Sequence, residues 1–296
     1  MRRSFYLVLA IILLILLSAC APKKNEQVKG IEKKERAPET LVKVSDGLDS
    51  LLQSIDSIEE MIKLTESEFQ VISSEEKEAQ KKDKQNAEES QEGQRQDGQQ
   101  QGEDQQKQNQ DQESDKQATK TKEEELISKW QEIDKKLGDI HKSWNDYEVE
   151  GLDRGATSDK GDEFKRNLNA LTVAIENRDI NGILDAGSKA FNSLAVFFDL
   201  YKDEIRGDLS RVKHSVHQAF ILAQNGNKEE ASRLLNETQE PTVRIRQKLK
   251  DDKVKDLEKL SLAIGDMQKA LDSNSIELLK IKRNIAIENI KTLQEQ

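Results

Sequence analysis

From Leu41 the apolar positions fall at Leu41, Val44, Leu48, Leu51, Ile55, Ile58, Ile62, Phe69 and Ile72, with Thr65 as one polar exception. Steps alternating between three and four place these side chains on one stripe of a helix, the heptad pattern of a helix that packs along its length. The spacing predicts one amphipathic helix over 41–77, its seam from Leu41 to Ile72 about 47 Å long at 1.5 Å per residue. After Ile72 the pattern stops. From Ser73 to Glu125 no apolar residue exceeds Ala in size, and Gln, Glu, Asp and Lys dominate. Such a segment cannot bury enough surface to offset its conformational entropy, so a disordered Gln/Glu/Lys-rich insertion is expected over 78–122. A second seam follows at Leu126, Trp130, Ile133, Leu137, Ile140, Trp144 and Tyr147, again in steps of four and three. Two matched seams invite pairing. The economical arrangement is an antiparallel hairpin with the insertion as an outsized loop, although a 53-residue coil reaching roughly 40 Å also permits a parallel or intermolecular pair.

Beyond Tyr147 the rest of 123–296 reads as an all-helical domain. Turn signals recur at Asn177-Arg178-Asp179, Gly207-Asp208, Asn225-Gly226-Asn227, Asp251-Asp252 and Asp272-Ser273-Asn274. These breaks predict six helices after the Gly151–Gly161 turn. Asn227 with Glu230 three residues on, after Gly226, reads as one helix ending and another being capped. Pro241 should kink or split the fourth of the six, because it lacks an N–H and clashes with the preceding turn. Asn177, Asn225 and Asp272 recur at intervals of 48 and 47 residues, which suggests repeated helical hairpins. The expected class is therefore all-α: long coiled-coil-like helices, an irregular bundle or an array of helical hairpins, and a long disordered insertion.

Three prolines in 296 residues agree with helix throughout the ordered part. The formal charge of -10 argues against nucleic-acid binding, which needs concentrated Lys and Arg. The first residues change the picture more. Arg2 and Arg3 precede an apolar run from Phe5 to Leu17, then Ser18, Ala19 and the single cysteine, Cys20. The 13-residue run is shorter than the roughly 20 residues that span a bilayer, and it ends as a secretory signal ends. Leu17-Ser18-Ala19-Cys20 resembles the lipobox of bacterial lipoprotein signal peptides. The resemblance implies that residues 1–19 are removed, that Cys20 carries lipid, and that the protein sits on the extracytoplasmic face of the cell membrane, with residues 20–40 as a flexible tether. Removing Arg2 and Arg3 takes the charge from -10 to -12. With Cys20 lipidated no thiol is left to form a disulfide.

Candidate chemistry is sparse. Histidine occurs only at 141, 214 and 217. On a helix over 208–225, His214 falls opposite the apolar face and His217 beside it, an exposed pair with no further His or Cys at ligand spacing. No metal, cofactor or catalytic residue is assigned. Neither G-x-S-x-G nor H-E-x-x-H occurs, and Glu66-Ser67 and Glu89-Ser90 lie in contexts that would not raise a general acid's pKa. Phe191, Phe197, Phe198 and Tyr201 form a stripe that reads as core, with a ligand pocket as the alternative; Trp130 and Trp144 read as seam residues. Arg244, Arg246, Lys248 and Lys250 are a local cationic run whose alternate spacing spreads it around a helix. The expected function is a non-enzymatic binding or scaffolding protein meeting a protein partner or a second copy through exposed seam surface. A solute or metal receptor is the alternative, and an enzyme acting on cell wall a third reading.

Overall fold

The computed structural model describes residues 36–75, 120–202 and 204–295. Cys20, its lipobox, nearly all of the tether and most of the Gln-rich insertion, with Glu89-Ser90, lie outside these residues. Within them the protein is all-helical, without strands. Nine helices follow one another: α1 (Glu39–Lys63), α2 (Lys122–Gly151), α3 (Ser158–Glu176), α4 (Ile180–Phe198), α5 (Arg206–Gln224), α6 (Lys228–Glu237), α7 (Gln239–Lys248), α8 (Val254–Ala270) and α9 (Ile276–Gln294). A further helical stretch covers 66–75. No described helix is long and apolar enough to cross a membrane.

The two seams pair within the chain. Leu41, Val44, Leu48, Leu51, Ile55 and Ile58 on α1 are fully enclosed, as are Ile133, Ile140 and Tyr147 on α2. Thr40 reaches Glu150 at one end, Lys136 Nζ donates to Ser54 Oγ at 2.7 Å in the middle, and Lys122 Nζ donates to the Leu64 carbonyl at 2.6 Å at the other. The pair is therefore antiparallel. Its backbones come close at Gly47, where a Cβ would sit 2.7 Å from Ile140 Cγ1. A second close approach, at Gly187 of α4, would put a Cβ 2.8 Å from Leu52 Cδ2. Helices α1 to α4 thus share one core, filled at its centre by Trp144, Tyr147, Phe164 and Phe197. The Trp144 ring lies 4.2 Å from Phe164 and 5.1 Å, edge-on, from Phe197.

Helices α5 to α9 surround a second core of Leu209, Val216, Phe220, Leu260, Met267 and Ile290. α5 joins the two. It packs on α4 on one side and on α6, α7 and α9 on the others.

Two expectations change, and a third is resolved. The predicted helix over 41–77 is broken: α1 ends at Lys63, and Thr65 starts a new turn. Thr65 N donates to Glu68 Oε2 at 2.8 Å and Glu68 N to Thr65 Oγ1 at 3.3 Å, a capping box that competes with continuation. Ile62 and Ile72 are consequently exposed. Seven helices follow α2, because Pro241 splits the fourth of the expected six, one of the two outcomes expected of it; it occupies the third position of α7, where a missing N–H costs nothing. The break expected at Gly207-Asp208 falls earlier, at 199–205, and Gly207 lies in the first turn of α5 instead. There a Cβ would meet the Ala195 carbonyl at 2.8 Å, so glycine is needed for packing rather than for a turn. The remaining turns stand where expected, with Gly226 at φ 79° and Asn227 Oδ1 accepting from Glu230 N at 3.3 Å.

A charged cleft between α1, α5 and α9

Beside its apolar seam, α1 carries a polar stripe at Asp49, Gln53, Asp56 and Glu60, in steps of four, three and four. α9 carries a facing row at Lys280, Asn284, Ile287, Lys291 and Gln294, polar except for Ile287. The stripes face each other in opposite directions. Gln294 Nε2 donates to Asp49 Oδ2 at 3.3 Å, Arg283 Nη2 to Asp56 Oδ1 at 2.6 Å, and Lys280 Nζ to Glu59 Oε2 at 2.8 Å and to Glu60. Among the described residues these long side chains reach across the gap. Between them lies a cleft of about 550 Å³, within the size range of small-ligand pockets.

α5 forms the floor. Arg206 stands at one end and His217 eleven residues on, about 16 Å along the helix. Lys213, 1% exposed, is held between them: its ammonium donates to both oxygens of Asp49 and to Gln294 Oε1 at 2.9 Å, and sits 4.7 Å from the Phe191 ring centre. Burial pushes its pKa down, with Asp49 opposing. Arg283 is wholly buried and stacks over Phe220 at 4.4 Å. Its partner Asp56 has its carboxyl pushed up by burial, against the pull of Arg283. Lys280 is raised instead: burial pulls it down, but Glu59 and Glu60 outweigh that.

His217 is 4% exposed, and its pKa lies well below the ordinary value, through burial first and then the fields of Arg283, Lys213 and His214. It is therefore a neutral imidazole at pH 7. Its Nδ1 has no hydrogen-bond partner among the described protein atoms, nor do Arg206 Nε and Arg283 Nη1, all of them buried. Other buried polar atoms away from the cleft, among them Ser45 Oγ and Trp144 Nε1, are likewise unpaired among the described protein atoms. On the rim, Asp46 is pushed up by desolvation, and the Asp46, Glu288 and Glu295 side chains line the opening.

The expected exposed histidine pair is therefore a correction. His217 is enclosed, and His214 is half-buried with Nδ1 3.1 Å from the Ser188 carbonyl oxygen, because α5 is covered on sides that a helical projection leaves open. His141 lies elsewhere, against Thr172 at 2.9 Å. No group of three His, Cys, Asp or Glu side chains suited to a metal occurs among the described residues. Phe191, Phe197, Phe198 and Tyr201 are at most 4% exposed and, like Trp130 and Trp144, are core. None of them lines the cleft. The seam surface from Leu41 to Ile58 and from Trp130 to Tyr147 is spent inside the chain, while Ile62 and Ile72 stay exposed. Glu66 is exposed and accepts from Lys122 N at 3.3 Å.

The cationic run is also reorganised. Arg244 Nε and Lys248 Nζ, four residues apart, both reach Asp208, at 2.7 and 3.0 Å, where Arg211 Nη1 joins at 3.3 Å. Asp208 is 1% exposed, so this cluster ties α7 to α5. Sequence reasoning missed Asp49, Asp56, Lys213, Lys280 and Arg283. The four-three-four polar stripes were the available signal, but polar stripes ordinarily mark a solvated face. Comparison with known proteins yields no match to a family model, a curated sequence or a solved structure.

Proposed function

We propose that this protein is a non-enzymatic, lipid-anchored binding protein of the extracytoplasmic face of a bacterial membrane, and that it holds a small polar solute between α1, α5 and α9. The cleft carries this reading: a space of about 550 Å³ that brings Asp46, Asp49, Asp56, Arg206 and Lys291 together lies within the size range of small-ligand pockets. The lipobox-like Leu17-Ser18-Ala19-Cys20 supports the location. Two or more acyl chains anchor firmly, at about 0.8 kcal/mol per buried methylene.

Two experiments test it. Cys20→Ala should release the protein from membranes or leave an uncleaved precursor; an unchanged mature membrane-bound product refutes the anchor. Native mass spectra of the full lipidated protein in mild detergent should show a bound small mass on the wild type that is lost from Gln53→Trp, since Gln53 is an exposed cleft residue whose replacement plugs the space. A bare wild type refutes the solute reading. The scaffolding reading retains one specific support, the exposed Ile62, Val71, Ile72 and Ile127 at one end of the α1–α2 pair. Crosslinking from Ile127 to a protein partner or a second copy would favour it.

A further inference from the structure

The lining of the cleft is acidic along its length. Asp46, Asp49 and Asp56 come from α1 and Glu288 and Glu295 from α9, against Arg206 and Lys291. Behind the lining, the enclosed Lys213 donates to Asp49 and the enclosed Arg283 to Asp56, which offsets two of these five carboxylates and leaves Asp46, Glu288 and Glu295. Arg206 is drawn aside: it pairs with Glu204 at 3.7 Å and donates to the Gln294 carbonyl oxygen at 3.0 Å. Lys291 stands on an exposed position of α9. A second observation points the same way. His217 lines the cleft, is 4% exposed, and has no hydrogen-bond partner at Nδ1 among the described protein atoms. The acceptor nitrogen of a neutral imidazole needs an N–H, as the carboxylates do.

The negative charge is spread rather than focused, and this narrows the ligand. No group of three His, Cys, Asp or Glu side chains suited to a metal occurs among the described residues, so a compact divalent ion finds no converging set of oxygens. A quaternary ammonium calls for an aromatic cage, and no Phe, Tyr or Trp lines the space. An anion meets carboxylates on both walls. Glu288 and Glu295 stand seven residues apart on α9, as Asp49 and Asp56 do on α1, an interval of two helical turns or about 10 Å. An extended triamine such as spermidine has its end nitrogens about 11 Å apart, at roughly 1.5 Å per bond along a staggered chain. Leu52 and Ile287 add apolar surface to the lining, against which methylenes pack.

Resting on the cleft being a binding site, we infer that its ligand is a linear aliphatic polyamine, its ammonium groups spaced along Glu288 and Glu295 on one wall and Asp46 and Asp56 on the other, with an N–H given to the imidazole of His217. Spermidine binding to the full lipidated protein in mild detergent is read by titration calorimetry at roughly physiological salt, where exposed charges beyond about 8 Å are screened. Spermidine should bind, and its fully acetylated, uncharged form should not. Gln53→Trp should abolish binding with its helical circular dichroism unchanged. Glu288→Gln should weaken binding roughly tenfold, as the loss of one charge-assisted hydrogen bond does. Glu258→Gln, the same change at an exposed position of α8 outside the cleft, should leave binding unchanged. His217→Leu should weaken binding and His217→Gln, which keeps an acceptor, should retain most of it; equal losses make His217 a packing residue and overturn the contact inferred for it. Equal weakening by Glu258→Gln, displacement of spermidine by Mg²⁺ at equal concentration, or binding that survives Gln53→Trp marks a general attraction to negative charge and overturns the inference. An endogenous mass lost in Gln53→Trp, without spermidine binding, overturns the polyamine class while the cleft stands as a site. Neither spermidine nor an endogenous mass on the wild type overturns both the inference and the cleft as a site.

Discussion

Replacing Asp49 by Asn tests whether the two halves of the protein are joined by buried charge. Lys213 is 1% exposed, and its ammonium is held by Asp49, by Gln294 at 2.9 Å and by the face of Phe191. Asp49 is its only carboxylate ion-pair partner among the described residues. Removing one member of a buried pair leaves an uncompensated charge and typically costs about 3–5 kcal/mol. Gln294 and Phe191 remain, so the lower end, about 3 kcal/mol, is expected. At roughly 2–4 °C per kcal/mol for a chain of this size class, the melting temperature should fall by about 6–12 °C. The sign with pH follows from Lys213. Burial lowers its pKa, so the folded state binds fewer protons than the unfolded state below the ordinary lysine value, and stability rises as pH rises toward that value. Without Asp49 that dependence should steepen, and part of the loss should be recovered near pH 9.5. Asp49→Asn combined with Lys213→Met removes both charges and should restore most of the stability, as a double-mutant cycle followed by chemical denaturation would show. A loss below about 1 kcal/mol, a loss independent of pH, or a double variant equal to the sum of its singles refutes the reasoning.

His217 predicts the opposite end of the pH scale. Its depressed pKa means that the unfolded chain binds the proton first, so stability present above pH 6.5 should be lost as pH falls below it, by up to about 1.4 kcal/mol per pH unit for this residue. His141 and His214 shift the same way, through burial. His217→Gln should flatten the denaturation midpoint between pH 7 and 5, and an unchanged slope means that His217 is not the sensor. At Gly47, Ala should lower stability: forcing a Cβ against Ile140 costs about 1–3 kcal/mol, only partly offset by the roughly 1 kcal/mol gained in helix propensity. Gly138→Ala, with nothing within 4 Å of its Cβ, should instead raise it by up to about 1 kcal/mol. Equal effects at both glycines, in thermal melts, would remove the argument for close approach of α1 and α2.

How much of this was legible in the residues varies by element. The seams of α1 and α2 follow from a periodicity that only a buried helix stripe needs, and Leu48, Ile55, Ile133 and Ile140 are indeed enclosed. The α6–α7 split follows from Pro241, and the α5–α6 turn from Gly226 and Asn227, because these residues act through their own backbone. The break at Thr65 was legible as well, in a capping box with Glu68, but the running heptad count stepped over it. Gly207 misled because glycine serves both turns and tight packing, and only the neighbouring Ala195 carbonyl distinguishes the two.

The cleft belongs to tertiary structure alone. Asp49 and Lys213 stand 164 residues apart, and Asp56 and Arg283 227. Each reads singly as a solvated charge on an amphipathic helix. Local propensity and periodicity depend on near neighbours, so the chain by itself determined the helices, their apolar faces and most of their ends. Which charges lose their water depends on what covers them. That was decided when α5 was enclosed by four other helices and α9 came back antiparallel to α1, bringing buried cations onto an acidic stripe with room between them.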